Sequence, residues 1–219
     1  MSSTVHFLAL GVSGDWVRVA IPLRPNGAVG WVRRSDVLLL ENSFRVVIEL
    51  STNRMKVYDG ERSLIDVSVA TGTGGTPTPK GLFFLKELLP QKAGGALGPY
   101  AFGLSGYSEV LSSFAGGVGN IGIHGTNDPG KLGTNASHGC VRVDNVSIST
   151  MAKNLPLGTP VEVVEKASDA PANRRSVEWA FGTGATVAAA QGPTVEVQTT
   201  DSSTTTVPVT TLSPATTTP

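Results

Sequence analysis

His124-Gly125-Thr126-Asn127 and, after a connection rich in Gly, Asn and Asp, Ser137-His138-Gly139-Cys140-Val141-Arg142 decide how this chain is read. The stretch holds the only cysteine of 219 residues and two of the three histidines. A thiol attacks as the thiolate, and an ordinary cysteine with a pKa of about 8.5 needs a base or a positive charge beside it at neutral pH. Ile121-Gly122-Ile123 is a short apolar run that reads as a buried strand delivering His124. If Ser137 to Val143 is a strand, alternation puts His138, Cys140 and Arg142 on one face. Gly139 would expose backbone N–H groups near the sulfur, the material of an oxyanion hole. Glycine and asparagine in 125–135 let the chain turn back so that the two ends meet. The residues thus describe a Cys–His acyl-transfer centre.

Blander readings exist for each residue. A lone cysteine is commonly a small buried hydrophobe, but two histidines at this spacing argue against that here. Cysteine with two histidines could also take zinc, yet the paired C-x-x-C or H-x-x-x-H spacing is missing. His138 is nearer to Cys140 in sequence, but two residues along a strand poorly align a ring nitrogen with the sulfur, which favours His124 as the base. Arg142 could be an ordinary solvated arginine.

The His-Gly-Thr run followed by Ser-His-Gly-Cys-x-Arg resembles the signature of the L,D-transpeptidase catalytic domain, and the resemblance extends over roughly residues 44–165. It implies a peptidoglycan-remodelling enzyme in which Cys140 is acylated and His124 is the general base, oriented by the Gly125 carbonyl. It further implies that Ser137, His138 and Gly139 shape the oxyanion hole and pocket wall, and that Arg142 steadies substrate or loop.

Composition is compatible with this. Seventeen basic and seventeen acidic residues balance to zero net charge, so there is no basic footprint for nucleic acid. Gly (26) and Pro (14) are abundant, which favours short strands and turns over long helices. No apolar run is long enough for a transmembrane segment, Met1 to Leu10 does not read as a signal peptide, and one cysteine cannot form an internal disulfide.

The expected fold class is mostly β: a sandwich-like catalytic domain at 44–165 with one short helix, a partial SH3-like barrel at 1–41 before it and a disordered tail at 166–219 after it. Gly14-Asp15-Trp16-Val17-Arg18-Val19 with Gly30-Trp31-Val32 resembles the second half of a bacterial SH3-like module. The first strands of that module are missing, so the start is expected to be truncated; a short β extension of the catalytic domain is the alternative. In the catalytic domain, hairpin strands are expected at 45–51 and 54–59, a third at 63–70, and a short strand at 82–85 after the Gly/Pro-rich run 71–81. That run is read as structural, because prolines and a following strand do not suit phosphate binding. Residues 86–118 read as a long irregular loop in which Tyr100 and Tyr107 form the wall over Cys140. Asp144-Asn145 caps a helix of about 146–153, and 161–165 is the closing strand. The Thr/Ser/Pro-rich end cannot bury enough apolar surface to offset chain entropy; Trp179 and Phe181 would dock only weakly.

From the resemblance, the expected substrates are peptidoglycan stem peptides, donor and acceptor. The enzyme would work without a metal or organic cofactor, as a monomer, acylated by carbapenems and placed in the cell envelope or secreted. Hydrolysis of the same bond by a thiol peptidase, and a non-catalytic wall-binding module, are the alternatives.

Overall fold

A computed structural model describes residues 5–92, 94–113, 117–170 and 188–189. Most of the tail, including Trp179 and Phe181, lies outside these residues. At the N-terminal side, β1 (Ala9–Ser13), β2 (Trp16–Ala20) and β3 (Val29–Arg33) form an antiparallel meander. Val17 and Val19 point inward while Trp16 and Arg18 stay exposed, as period-two patterning requires. A two-residue strand, β4 (Leu40–Glu41), leads into the larger unit and pairs in parallel with Ala188–Ala189.

The larger unit is built from β5 (Phe44–Glu49), β6 (Arg54–Asp59), β7 (Arg62–Ser68), β8 (Thr71–Gly72), β9 (Gly81–Pro90), β10 (Tyr100–Tyr107), β11 (Asn120–His124), β12 (Asn135–Ser137), β13 (Val141–Arg142), helix α1 (Asn145–Asn154) and β14 (Pro160–Val164). Eight of these strands form one mixed sheet in the order β13-β11-β10-β9-β14-β5-β6-β7. Side chains from both halves of the sheet, such as Val46, Met55 and Ile65 from one and Phe102, Leu104 and Ile123 from the other, share a single buried cluster. The sheet therefore curls around its own core. Ile148, Met151, Ala152 and Leu155 of α1 close it. The fold is mostly β with one helix.

The irregular loop expected over 86–118 is corrected. β9 continues to Pro90, and Tyr100–Tyr107 is a strand between β9 and β11. Gly103 and Gly106 hid it, because they mimic a loop composition. Each is instead a point of close approach: an added Cβ would lie 2.5 Å from Glu87 Oε1 at Gly103 and 2.6 Å from the Phe83 ring at Gly106.

Two pairings in the sheet are parallel, β5 with β14 and β11 with β13. A parallel neighbour needs a crossover of about a dozen residues or more, and 125–140 is the crossover between β11 and β13. It carries a 3-10 turn at Pro129–Lys131 and the short β12, which pairs with β8.

Candidate active site

The parallel register matches Ile123 with Val141 and His124 with Arg142, which brings Gly122 beside Cys140. Ile123 and Val141 face the core, so His124, Arg142 and Cys140 share the opposite face. Gly122 carries no side chain there, and its backbone amide lies close enough to the Cys140 sulfur to favour the ionised thiol. The lone thiol and the buried imidazole are thus set by backbone pairing on adjacent strands.

His124 is 6% exposed, and its Nδ1 stands 2.6 Å from the Gly125 carbonyl oxygen. A carbonyl only accepts, so Nδ1 carries the hydrogen and Nε2 is the unprotonated, basic nitrogen. The Gly125 N–H donates to the Tyr100 carbonyl at 3.2 Å. Gly125 is required because an added Cβ would lie 2.3 Å from Asn145 Oδ1. That same oxygen accepts the Thr126 N–H at 2.9 Å. The first turn of α1, capped by Asp144 through the N–H groups of Val146 and Ser147, therefore holds the loop that aims the imidazole.

Burial works against charge on both groups. Burial lowers the His124 pKa, partly offset by the Gly125 bond, and the Arg142 charge lowers it further. Burial raises the Cys140 pKa against the smaller opposing effects of the Gly122 amide and Arg142.

The expectation of one strand through Ser137–Val143 is corrected. The chain breaks between β12 and β13 at Gly139, whose φ is +117°, a value suited only to glycine. An added Cβ there would also lie 2.9 Å from Ile121 Cδ1. The break turns His138 out to the surface while Cys140 is half-buried. Ser137 bridges the bend: its hydroxyl donates to the Cys140 carbonyl and accepts the Gly139 N–H at 3.1 Å. The Gly139 N–H is therefore already used, because Ser137 lies within the same tight turn. Gly139 contributes conformation, not a free oxyanion donor.

Sequence reasoning missed the groups behind this turn. Thr78 Oγ1 donates to the Gly139 carbonyl and accepts the Gly72 N–H, each at 2.9 Å. The Thr73 N–H donates to the Ser137 carbonyl at 3.0 Å. Arg142 exchanges both backbone bonds with Ala70. The Thr-Pro-Thr-Pro run carried the signal for Thr78; nothing in the sequence pointed to Asn145 as a tie to the His124 loop or to Gly122 as the neighbour of the thiol. Tyr100 supports the His124 loop through its backbone and packs on the core. Tyr107 is placed with the N-terminal meander: its hydroxyl donates to the Pro22 carbonyl at 2.6 Å and its ring lies 4.9 Å from the Arg24 guanidinium. No group of three or more His, Cys, Asp or Glu able to hold a metal occurs among the described residues.

Residues 43–163 match the family model of the YkuD L,D-transpeptidase catalytic domain. The chain belongs to that family. The "Putative L,D-transpeptidase YkuD" of Bacillus licheniformis is 30% identical over 120 residues, covering 55% of this chain and 65% of the relative. The "Probable L,D-transpeptidase YbiS" of Escherichia coli K12 is 26% identical over 163 residues, covering 64% of this chain and 53% of the relative. The chain thus spans less than two thirds of either relative's length. Among solved structures, the L,D-transpeptidase from Mycobacterium smegmatis aligns at 15% identity with a TM-score of 0.46, covering 74% of this chain and all of that one (100%). The L,D-transpeptidase domain contains every residue of the His124–Arg142 site.

Proposed function

We infer that this chain is a cysteine L,D-transpeptidase acting on peptidoglycan stem peptides outside the cytoplasmic membrane. The observation that carries this reading is the parallel β11–β13 register, which sets Cys140 beside Gly122 and two residues from His124 on one half-open sheet face. Family membership supports the substrate class.

His124 Nε2 takes the Cys140 proton as Sγ bonds to the carbonyl carbon between the third residue of a donor stem and its terminal D-alanine. The C–N bond then breaks, and the D-alanine amine leaves with the proton held by the imidazolium. In the second half, an amine of an acceptor stem gives a proton to Nε2 and attacks the thioester. The new C–N bond forms as the C–S bond breaks, the imidazolium returns its proton to the departing Sγ, and two third-position residues are cross-linked. With the Gly139 N–H engaged by Ser137, the Cys140 N–H is the oxyanion donor in this scheme. Arg142 adds a positive charge beside the developing anion. The meander at the N-terminal side serves as part of an SH3-like wall-binding module.

Intact-protein mass spectrometry after exposure to a carbapenem, whose strained carbonyl offers the same electrophile, tests the assignment. One covalent adduct is expected on the native chain and none on Cys140→Ala. An adduct that survives in Cys140→Ala, or native protein that forms none and releases no D-alanine from tetrapeptide stems, would end it.

A further inference from the structure

His124 and Cys140 account for the proton and the nucleophile, but the face that bears them extends further across the sheet. Leu88, Phe102, Ile123 and Val141 are register partners on the core side. Alternation then places Glu87, Gly103, Gly122 and Cys140 in one row on the other side, with Leu89, Ala101, His124 and Arg142 in the next. The middle of the first row is two glycines, both partly exposed, so only backbone floors the space between Glu87 and Cys140. Glu87 leans into that space: its Oε1 lies 2.5 Å from where a Cβ on Gly103 would stand. Gly103 and Cys140 are two strand spacings apart, which sets the carboxylate about 10 Å from the thiol.

We propose that Glu87 is a specificity-determining residue that binds the side-chain ammonium of the donor stem's third residue while that residue's carbonyl is attached to Cys140. The proposal rests on the thioester reading given above. An extended four-carbon side chain hung from an acyl group on the sulfur covers this span and ends within reach of one charge-assisted N–H···O bond. Such an amine is charged at neutral pH. Arg142, at the thiol end of the trough, repels an ammonium and so favours the orientation that sends it toward Glu87. Glu87 Oε1 also stands 3.3 Å from Lys86 Nζ, with the two side chains 45% and 28% exposed. Such a solvated pair is weak, and a carboxylate accepts several donors. The substrate's ammonium joins or displaces Lys86 at that carboxylate.

The test measures D-alanine release by the full chain from two pairs of tetrapeptide stems: lysine against norleucine, and diaminopimelate against 2-aminopimelate, at the third position. The native chain is expected to favour the amine-bearing member of at least one pair by about tenfold in kcat/KM. In Glu87→Gln that ratio should fall to about twofold, while the rate of carbapenem adduct formation at Cys140 stays at the native value. Gly103→Ala, which crowds the carboxylate out of the trough, should reproduce the loss of preference. Indifference of the native chain to the amine in both pairs, or a preference that survives in Glu87→Gln, overturns the proposal and leaves the cysteine chemistry intact. No adduct and no D-alanine release from any stem would instead overturn the thioester reading beneath it.

Discussion

Burial pushes the Cys140 thiol up and the His124 imidazole down, so both shifts oppose a charged thiolate–imidazolium pair before substrate binds. Alkylation of Cys140 by iodoacetamide should therefore keep accelerating with pH beyond the range in which an ordinary thiol has fully ionised. A plateau near neutral pH would instead indicate a preformed thiolate–imidazolium pair. Removing the base in His124→Ala should slow carbapenem acylation by about 10²–10⁴-fold, measured by the time course of the mass shift. The same shifts bear on stability, with opposite signs. The unfolded chain takes up a proton at His124 below 6.5 before the folded one does, so stability falls as pH drops below that value. The unfolded thiol ionises before the folded one as pH rises through the ordinary thiol range, so stability falls again on the alkaline side. Urea midpoints across the pH range should show both losses. Cys140→Ala should retain the acid loss and lack the thiol's share of the alkaline one.

The elements around the site are short and are held mainly from outside themselves. β13 is two residues long and β12 three; neither would persist without β11, the Ala70 bridge and the Thr73–Thr78 turn. Thr78→Val keeps the shape of the buried side chain but leaves the Gly72 N–H without its partner. It should cost about 1–3 kcal/mol in urea unfolding and slow acylation by displacing Gly139. Asp144→Ala removes the cap of α1 and should cost about 1 kcal/mol in the same measurement, with loosening of the His124 loop that Asn145 holds. The motif residues were legible because their chemistry is carried by residue type: one thiol, two histidines, a glycine between. The hairpin β5–β6 was legible because two short β-compatible runs flank a turn at Thr52-Asn53. β10 was not, since its glycines serve neighbours distant in sequence, and nothing local distinguishes close approach from looseness. The bend at Gly139 escaped for the opposite reason, because flanking β-compatible residues suggest a continuous strand and the break depends on the local bonds of Ser137 and the tertiary tie of Thr78.

At the scale of the whole molecule, the meander is fastened to the catalytic unit by a compact polar joint. Arg24 donates to the carbonyls of Ser108, Leu111 and Val118, and Asn26 makes reciprocal bonds with the Tyr107 backbone at 2.8 and 2.9 Å. These contacts brace the segment between β10 and β11, the approach to the strand that ends in His124. Arg24→Ala should raise amide exchange at 108–113 and 117–119 while the core strands keep their protection; unchanged exchange there would show that the joint does not brace the segment. The trough between Glu87 and Cys140 has a different kind of rigidity. Its width is a count of hydrogen-bonded strands, a spacing that varies little between proteins, so the floor behaves as a fixed gauge. A stem carrying ornithine, one methylene shorter than lysine, falls short of the far wall and should be processed more slowly than its lysine counterpart. Retuning this protein to a shorter substrate would call for moving the carboxylate to a nearer strand, because no repacking of side chains can narrow the gauge.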